Sequence, residues 1–175
     1  MDIKVSHGIY LTQITESDKP SLIKYINDPE IYKYTLKIPH PYLEKDAELW
    51  INFVEKSRIE EGILKHWAVK NKTDELIGGI GFHSKYGKHS HKDEIGYWLG
   101  KPFWNNSIMT DVVKKICTIG FSEFNLTRIE ATVFVNNDAS KRVLEKSGFR
   151  REGTLKNYHY KDGELLDVDL YARLI

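Results

Sequence analysis

The sequence predicts an α/β fold in which a mixed, mostly antiparallel sheet is flanked by helices. Hydrophobic periodicity switches repeatedly between the two-residue repeat of strands and the 3.6-residue repeat of helices along the chain. One run, strand Glu94–Leu99, a helix from about Asn106 to Phe124, and strand Arg128–Phe134, is a crossover that demands parallel pairing. The other strands fall in hairpins, which demand antiparallel pairing.

Ile9 to Ile14 is short, β-branched and alternating, the signature of a first strand. Thr15-Glu-Ser-Asp18 supplies cap residues for a helix carrying Leu22, Ile23, Tyr25 and Ile26, which ends near Asn27-Asp-Pro29. Glu30 to Pro41 reads as a short helix and loop closed by Pro-His-Pro. From Leu43 to Ile59, Ala47, Trp50, Ile51 and Val54 fall at i, i+3, i+4 and i+7, an amphipathic helix. His66–Val69 and Leu76–His83 flank the polar turn Asn71-Lys-Thr-Asp74 as a hairpin, and a polar loop from Lys85 to Asp93 leads into Glu94–Leu99. After the crossover, Ala139–Ser147 is a helix, and Phe149–Tyr158 with Leu165–Tyr171 closes as a hairpin around Lys161-Asp-Gly163. The expected order is β-α-α-β-β-β-α-β-α-β-β, one domain over residues 1–175, with a ligand cleft beside the carboxyl ends of the parallel strands.

Composition excludes several function classes. Lysine and arginine total 26 against 25 aspartates and glutamates, a net charge of +1. No bulk attraction to nucleic acid or membrane follows, and an anionic ligand must be held locally. The single cysteine, Cys117, excludes an internal disulfide and a thiolate metal cluster, and so points to a reducing compartment. No signal-like apolar run opens the chain and no window approaches ~20 apolar residues, so a soluble cytoplasmic protein is expected. His83, His89 and His91 share a polar stretch but lack metal-site spacing, and no metal is expected.

The most informative stretches are Glu94-Ile-Gly-Tyr-Trp-Leu-Gly-Lys-Pro-Phe-Trp-Asn-Asn-Ser-Ile-Met-Thr110 and Asn137-Asp-Ala-Ser140 with Val143-Leu-Glu-Lys-Ser-Gly-Phe149. A strand feeding a helix start presents free backbone N–H groups and the positive end of a helix dipole, a site for phosphate or pyrophosphate. These stretches, with Ile38-Pro-His-Pro-Tyr42, Asp46-Ala47 and Trp50-Ile51, resemble the GNAT acetyltransferases. More narrowly they resemble the branch containing the ribosomal-protein-alanine N-acetyltransferases.

That resemblance implies the acyl-CoA N-acyltransferase fold, acetyl-coenzyme A as co-substrate, and acetyl transfer to a primary amine by direct attack on the thioester. The acceptor it implies is a protein or peptide α-amine. A small-molecule amine, or a degenerate member that binds acyl-coenzyme A without turnover, remains open. It also implies cofactor contacts from Trp98 and Leu99 and from the loop Trp104, Asn105, Asn106, Ser107, Ile108, Met109 and Thr110. The family's loop reads aromatic–Gly–x–Gly–x–Ala/Gly, and both glycines are absent here. Asn105 is a type that tolerates positive φ, Ser107 adds a hydroxymethyl, and Met109 is expected to turn into the core.

Ser140 is the candidate near the departing thiol and Asn137 the helix cap, with a contact to the pantetheine arm. Glu94 is the candidate base. Tyr34 and His83 are candidates for the acceptor side, with His83 an alternative base. A homodimer, paired through edge strands or the C-terminal hairpin, is expected; nucleic-acid and membrane partners are not.

Overall fold

The computed structural model describes residues 2–6, 8–84, 86, 87 and 90–175. In chain order these form β1 (Ile3–Ser6), β2 (Ile9–Thr12), α1 (Lys19–Ile26), α2 (Pro29–Tyr34), α3 (Glu44–Glu61), β3 (His66–Lys70), β4 (Leu76–Phe82) and β5 (Lys92–Leu99). Then follow α4 (Ile108–Ser122), β6 (Arg128–Phe134), α5 (Asp138–Lys146), β7 (Arg150–Lys161) and β8 (Glu164–Leu174). Two compact units result, each built from two stretches of chain: residues 1–81 with 97–108, and residues 82–96 with 109–175.

In the first unit, β1 to β4 pair antiparallel in sequence order. Helices α1 to α3 supply Leu22, Ile26, Ile31, Ala47, Ile51 and Val54 to one buried cluster, on which Trp98 and Trp104 also pack. Trp50, expected on the buried stripe of α3, lies at its edge, 36% exposed, stacked on Phe53 with ring centroids 5.5 Å apart. The helix begins one residue later than expected, at Glu44, because Asp46 Oδ2 accepts the Leu43 N–H at 2.8 Å. Strand β1 was not expected. It is four residues long and half-exposed, and it pairs antiparallel with β2.

Strand β4 places glycine where other groups must pass. A Cβ on Gly78 would sit 2.6 Å from the Trp98 carbonyl oxygen, and one on Gly79 would sit 2.7 Å from the Trp98 indole Nε1. A side chain at either position would displace the end of β5.

Lys70 and Asp18, both buried, pair at 2.8 Å. The same carboxylate accepts the Thr15 N–H at 2.8 Å and so holds the chain entering α1. Burial works against the charged Lys70, but Asp18 and Asp74 outweigh it and raise its pKa.

In the second unit, the first part of β5 pairs parallel with β6, with Glu94 opposite Glu130, as the crossover requires. β6 pairs antiparallel with β8, and β8 with β7. The closing hairpin turns at Asp162 and Gly163, both left-handed. Helix α4 buries Met109, Val112, Val113, Ile116, Cys117 and Ile119. It spans Ile108–Ser122 instead of Asn106–Phe124, because Ser107 and Asn125 take positive φ at its two ends. Burial pushes the Cys117 thiol up to about 11. No helix among the described residues is long and apolar enough to cross a membrane.

Asp18→Asn is expected to cost about 3 kcal/mol in urea unfolding, the low end for stranding a buried charge, since Asp74 remains 3.3 Å from Lys70. Because the folded pKa of Lys70 is raised, its share of stability is complete below roughly pH 10.4 and fades as pH rises through the folded value. The variant's deficit should shrink over that range.

Candidate active site

In the first unit, β5 ends at Leu99, and the Gly100 N–H donates to the Ile77 carbonyl at 2.8 Å. A 3-10 turn, Lys101–Phe103, then brings Trp104 back, so that its indole Nε1 donates to the Leu99 carbonyl at 2.6 Å. Trp98, Leu99 and Trp104 are thus brought together at the strand end. The next residues form a loop with two left-handed positions, Asn105 at φ 62° and Ser107 at φ 58°. Between them the Asn106 side chain turns back to donate to the carbonyls of Phe103 at 3.3 Å and Trp104 at 3.0 Å. Its amide NH2 is thus engaged in shaping the loop. Ile108 opens the 15-residue α4, and Met109 and Thr110 in its first turn are buried. A strained loop feeding the N-terminus of a long helix is a place where backbone N–H groups meet an anion.

In the second unit, Glu94 is buried at 6% exposure, and its carboxylate accepts from Thr132 Oγ1 at 2.6 Å. The His83 N–H donates to the Glu94 carbonyl at 2.9 Å. The exposed His83 imidazole lies over Gly96, where a Cβ would collide with it. Glu94 on β5 and His83, the residue after β4, are therefore neighbours. Asn137 caps α5 through Oδ1, which accepts the Ser140 N–H at 3.1 Å. The half-buried Ser140 sits in the first turn. Tyr34 belongs to the first unit, at the end of α2, with the Lys33 ammonium 5.0 Å from its ring centre.

One cluster escaped the sequence reading. In β7, Leu155 pairs with Val168 and His159 with Leu166, so Lys156, Asn157 and Tyr158 oppose Asp167 alone. The bulge is clamped by Asp167, which accepts from Lys156 Nζ at 2.7 Å and from the Asn157 N–H at 2.8 Å. Those two donors hold the Asp167 carboxyl below the usual carboxylate range. The bulge turns His159 onto Tyr158, centroids 4.8 Å apart, and edge-on to Phe134 at 6.1 Å. Phe134 ends β6, and its carbonyl accepts the Asn137 N–H at 2.9 Å. Side-chain alternation cannot reveal such a shift; a Lys-Asn pair inside a strand pattern was the only signal. Lys85, Lys88 and His89 of the polar loop lie outside the described residues. Among the described residues, no group of three or more His, Cys, Asp or Glu is placed to hold a metal.

Residues 9–150 match the family model described as acetyltransferase (GNAT) domain. The chain is 34% identical over 165 residues to the uncharacterized N-acetyltransferase YoaA of Bacillus subtilis (strain 168), covering 94% of this chain and 92% of that one. It is 33% identical over 104 residues to the ribosomal-protein-serine acetyltransferase of Escherichia coli (strain K12), 59% and 58% of the two chains. In fold it matches RimL, the ribosomal L7/L12 α-N-protein acetyltransferase solved with coenzyme A, with a TM-score of 0.88 at 24% identity over 100% of this chain and 98% of that one.

Left-handed φ costs an L-residue about 1–2 kcal/mol, whereas glycine pays about 0.5–1 kcal/mol of extra chain entropy. Ser107→Gly is therefore expected to stabilise the chain by about 0.5 kcal/mol, read as a small rise in urea midpoint at unchanged m-value.

Proposed function

The chain belongs to the acetyltransferase (GNAT) domain family, and from that premise we propose that it carries an acetyl group from acetyl-coenzyme A to the α-amine of a protein or peptide. The observation that carries this reading is the backbone at Asn105 and Ser107. Both residues hold positive φ, the region that favours glycine, where the family's loop has its two glycines. Two left-handed positions at that spacing, ahead of a long helix, support the reading. The N–H groups from Asn106 to Thr110 would receive the pyrophosphate, with the helix dipole behind them. Met109, buried, leaves the approach to the backbone open.

Bound acetyl-coenzyme A supplies the thioester carbonyl and a thiolate leaving group. An α-amine titrates near roughly 8 and is largely protonated at neutral pH, so it must first lose a proton. Glu94 takes that proton, its carboxylate held in place by Thr132. As the C–N bond forms and the C–S bond breaks, backbone N–H groups at Trp98 and Leu99 meet the oxyanion, and the Ser140 hydroxyl gives its proton to the departing sulfur while taking the second proton from the acylated nitrogen, which leaves the serine neutral. Trp104 supports this by fixing the Leu99 peptide. The acceptor-side candidates are Tyr34 in the first unit and His83 in the second, and in the second unit the rings of Phe134, Tyr158 and His159 give a peptide apolar contact area. The likeness to a relative named for a ribosomal protein supports a protein acceptor.

A thiol-release assay tests the reading. Coenzyme A should appear with peptides bearing a free N-terminus and not with N-acetylated copies. Release only with small amines would overturn the acceptor, and binding without release with any acceptor would overturn turnover. Ser140→Ala should lower kcat roughly 100-fold while KM for acetyl-coenzyme A stays within about twofold. In pH–rate profiles, Glu94→Gln should remove the ascending limb set by the enzyme's base and His83→Gln should leave it in place. The reverse pattern would make His83 the base.

A further inference from the structure

We propose that Asp169 of β8, acting through Lys141 of α5, is the positioning residue that holds Ser140 in register for proton transfer; this rests on the role given to Ser140 above. Asp169 is 3% exposed and is met by three side chains from two elements. Lys141 Nζ lies 2.9 Å from its Oδ2, while Arg151 Nη2, at 2.8 Å, and Thr154 Oγ1, at 2.6 Å, both reach Oδ1 from β7. Lys141 also donates to the Val135 carbonyl at 2.6 Å, and Asp138 stands 3.9 Å from its ammonium.

The consequence for Ser140 is topological. The Lys141 ammonium closes residues 135–141 into a ring of chain, joined at the Val135 carbonyl and tied to β8 through Asp169. Inside that ring lie Asn137, whose N–H donates to the Phe134 carbonyl at 2.9 Å, and Ser140, held by Asn137 Oδ1 at 3.1 Å. Each bond within the ring fixes Ser140 relative to its own turn. The Val135 N–H donates to the Asp167 carbonyl of β8 at 3.3 Å, and the Lys141–Asp169 pair adds the charged side-chain tie from the first turn of α5 to β8. Burial works against the charged carboxylate, yet Arg151, Thr154 and Lys141 hold its pKa well below the usual range, so the anchor stays charged throughout any working pH. Misplacing a reacting group by about an ångström costs up to roughly 100-fold in rate, so a loosened tether should show in kcat without a change in cofactor affinity.

Kinetics of Lys141→Met, Lys141→Arg and Asp169→Asn, each with and without Ser140→Ala, test this. Lys141→Met and Asp169→Asn should each lower kcat about tenfold with KM for acetyl-coenzyme A within twofold. Lys141→Arg should recover at least half of the wild-type kcat. In the Ser140→Ala background each substitution should change kcat by less than twofold, because two changes acting on one group do not add. Wild-type kcat in Lys141→Met, or a full tenfold further loss on top of Ser140→Ala, would overturn the positioning role alone. Wild-type kcat in Ser140→Ala would overturn the assignment of Ser140, and the tether with it. Should Asp169→Asn fail to fold, Lys141→Met, whose side chain is 20% exposed, still decides the question.

Discussion

The close approach permitted by missing side chains in β4 is the constraint from which the cofactor half of the proposed site follows. Gly78 and Gly79 let the Trp98 peptide and indole occupy the space that two Cβ atoms would fill. That contact sets where β5 ends, and the end of β5 sets where the Trp104 indole finds its acceptor on Leu99. Trp104 in turn packs on the same buried cluster as Trp98, so the first residue of the loop is anchored in the core of its unit. A loop whose entry is fixed this firmly can hold two unfavourable backbone conformations in succession. Elsewhere such strain would relax by fraying the helix behind it.

Charge is handled the same way in both units. Asp18, Glu130 and Asp169 are all buried, and each is met by several donors from different elements. Asp18 takes Lys70 and the Thr15 N–H; Glu130 takes Tyr86, Arg128 and Lys92; Asp169 takes Lys141, Arg151 and Thr154. An ion removed from water gains little net stability by such pairing, but leaving it unpaired is costly. These carboxylates therefore act as geometric pins. They tolerate one arrangement of the surrounding strands and helices and penalise others.

Most of the architecture was legible because it rests on period and punctuation. The parallel β5–β6 pair followed from a strand–helix–strand run, and the final hairpin from Asp162-Gly163 between two strand patterns. Strand β1 was not, since Ile3-Lys-Val-Ser6 holds only two apolar residues and its pairing with β2 leaves no local signature. At the site, the capping bond from Asn137 to the Ser140 N–H could be read from spacing alone, because caps are local. The positive φ of Ser107 was not read, because serine carries no preference for it. Nor was the bulge at Lys156–Tyr158, which is set by a partner strand's aspartate and changes register without changing composition. The Lys141–Asp169 tether spans 28 residues, the difference between its two numbers, and no local pattern encodes it.

The one cysteine has a practical consequence. Cys117 is fully buried on α4, and its thiol is pushed up to about 11, so almost none of it exists as thiolate at neutral pH. The one thiol therefore does not compete for maleimides or haloacetamides near neutral pH. A cysteine introduced at an exposed position such as Tyr160 would be labelled selectively without first removing the natural one. A fluorophore or spin label placed there would report on the closing hairpin in an otherwise wild-type chain.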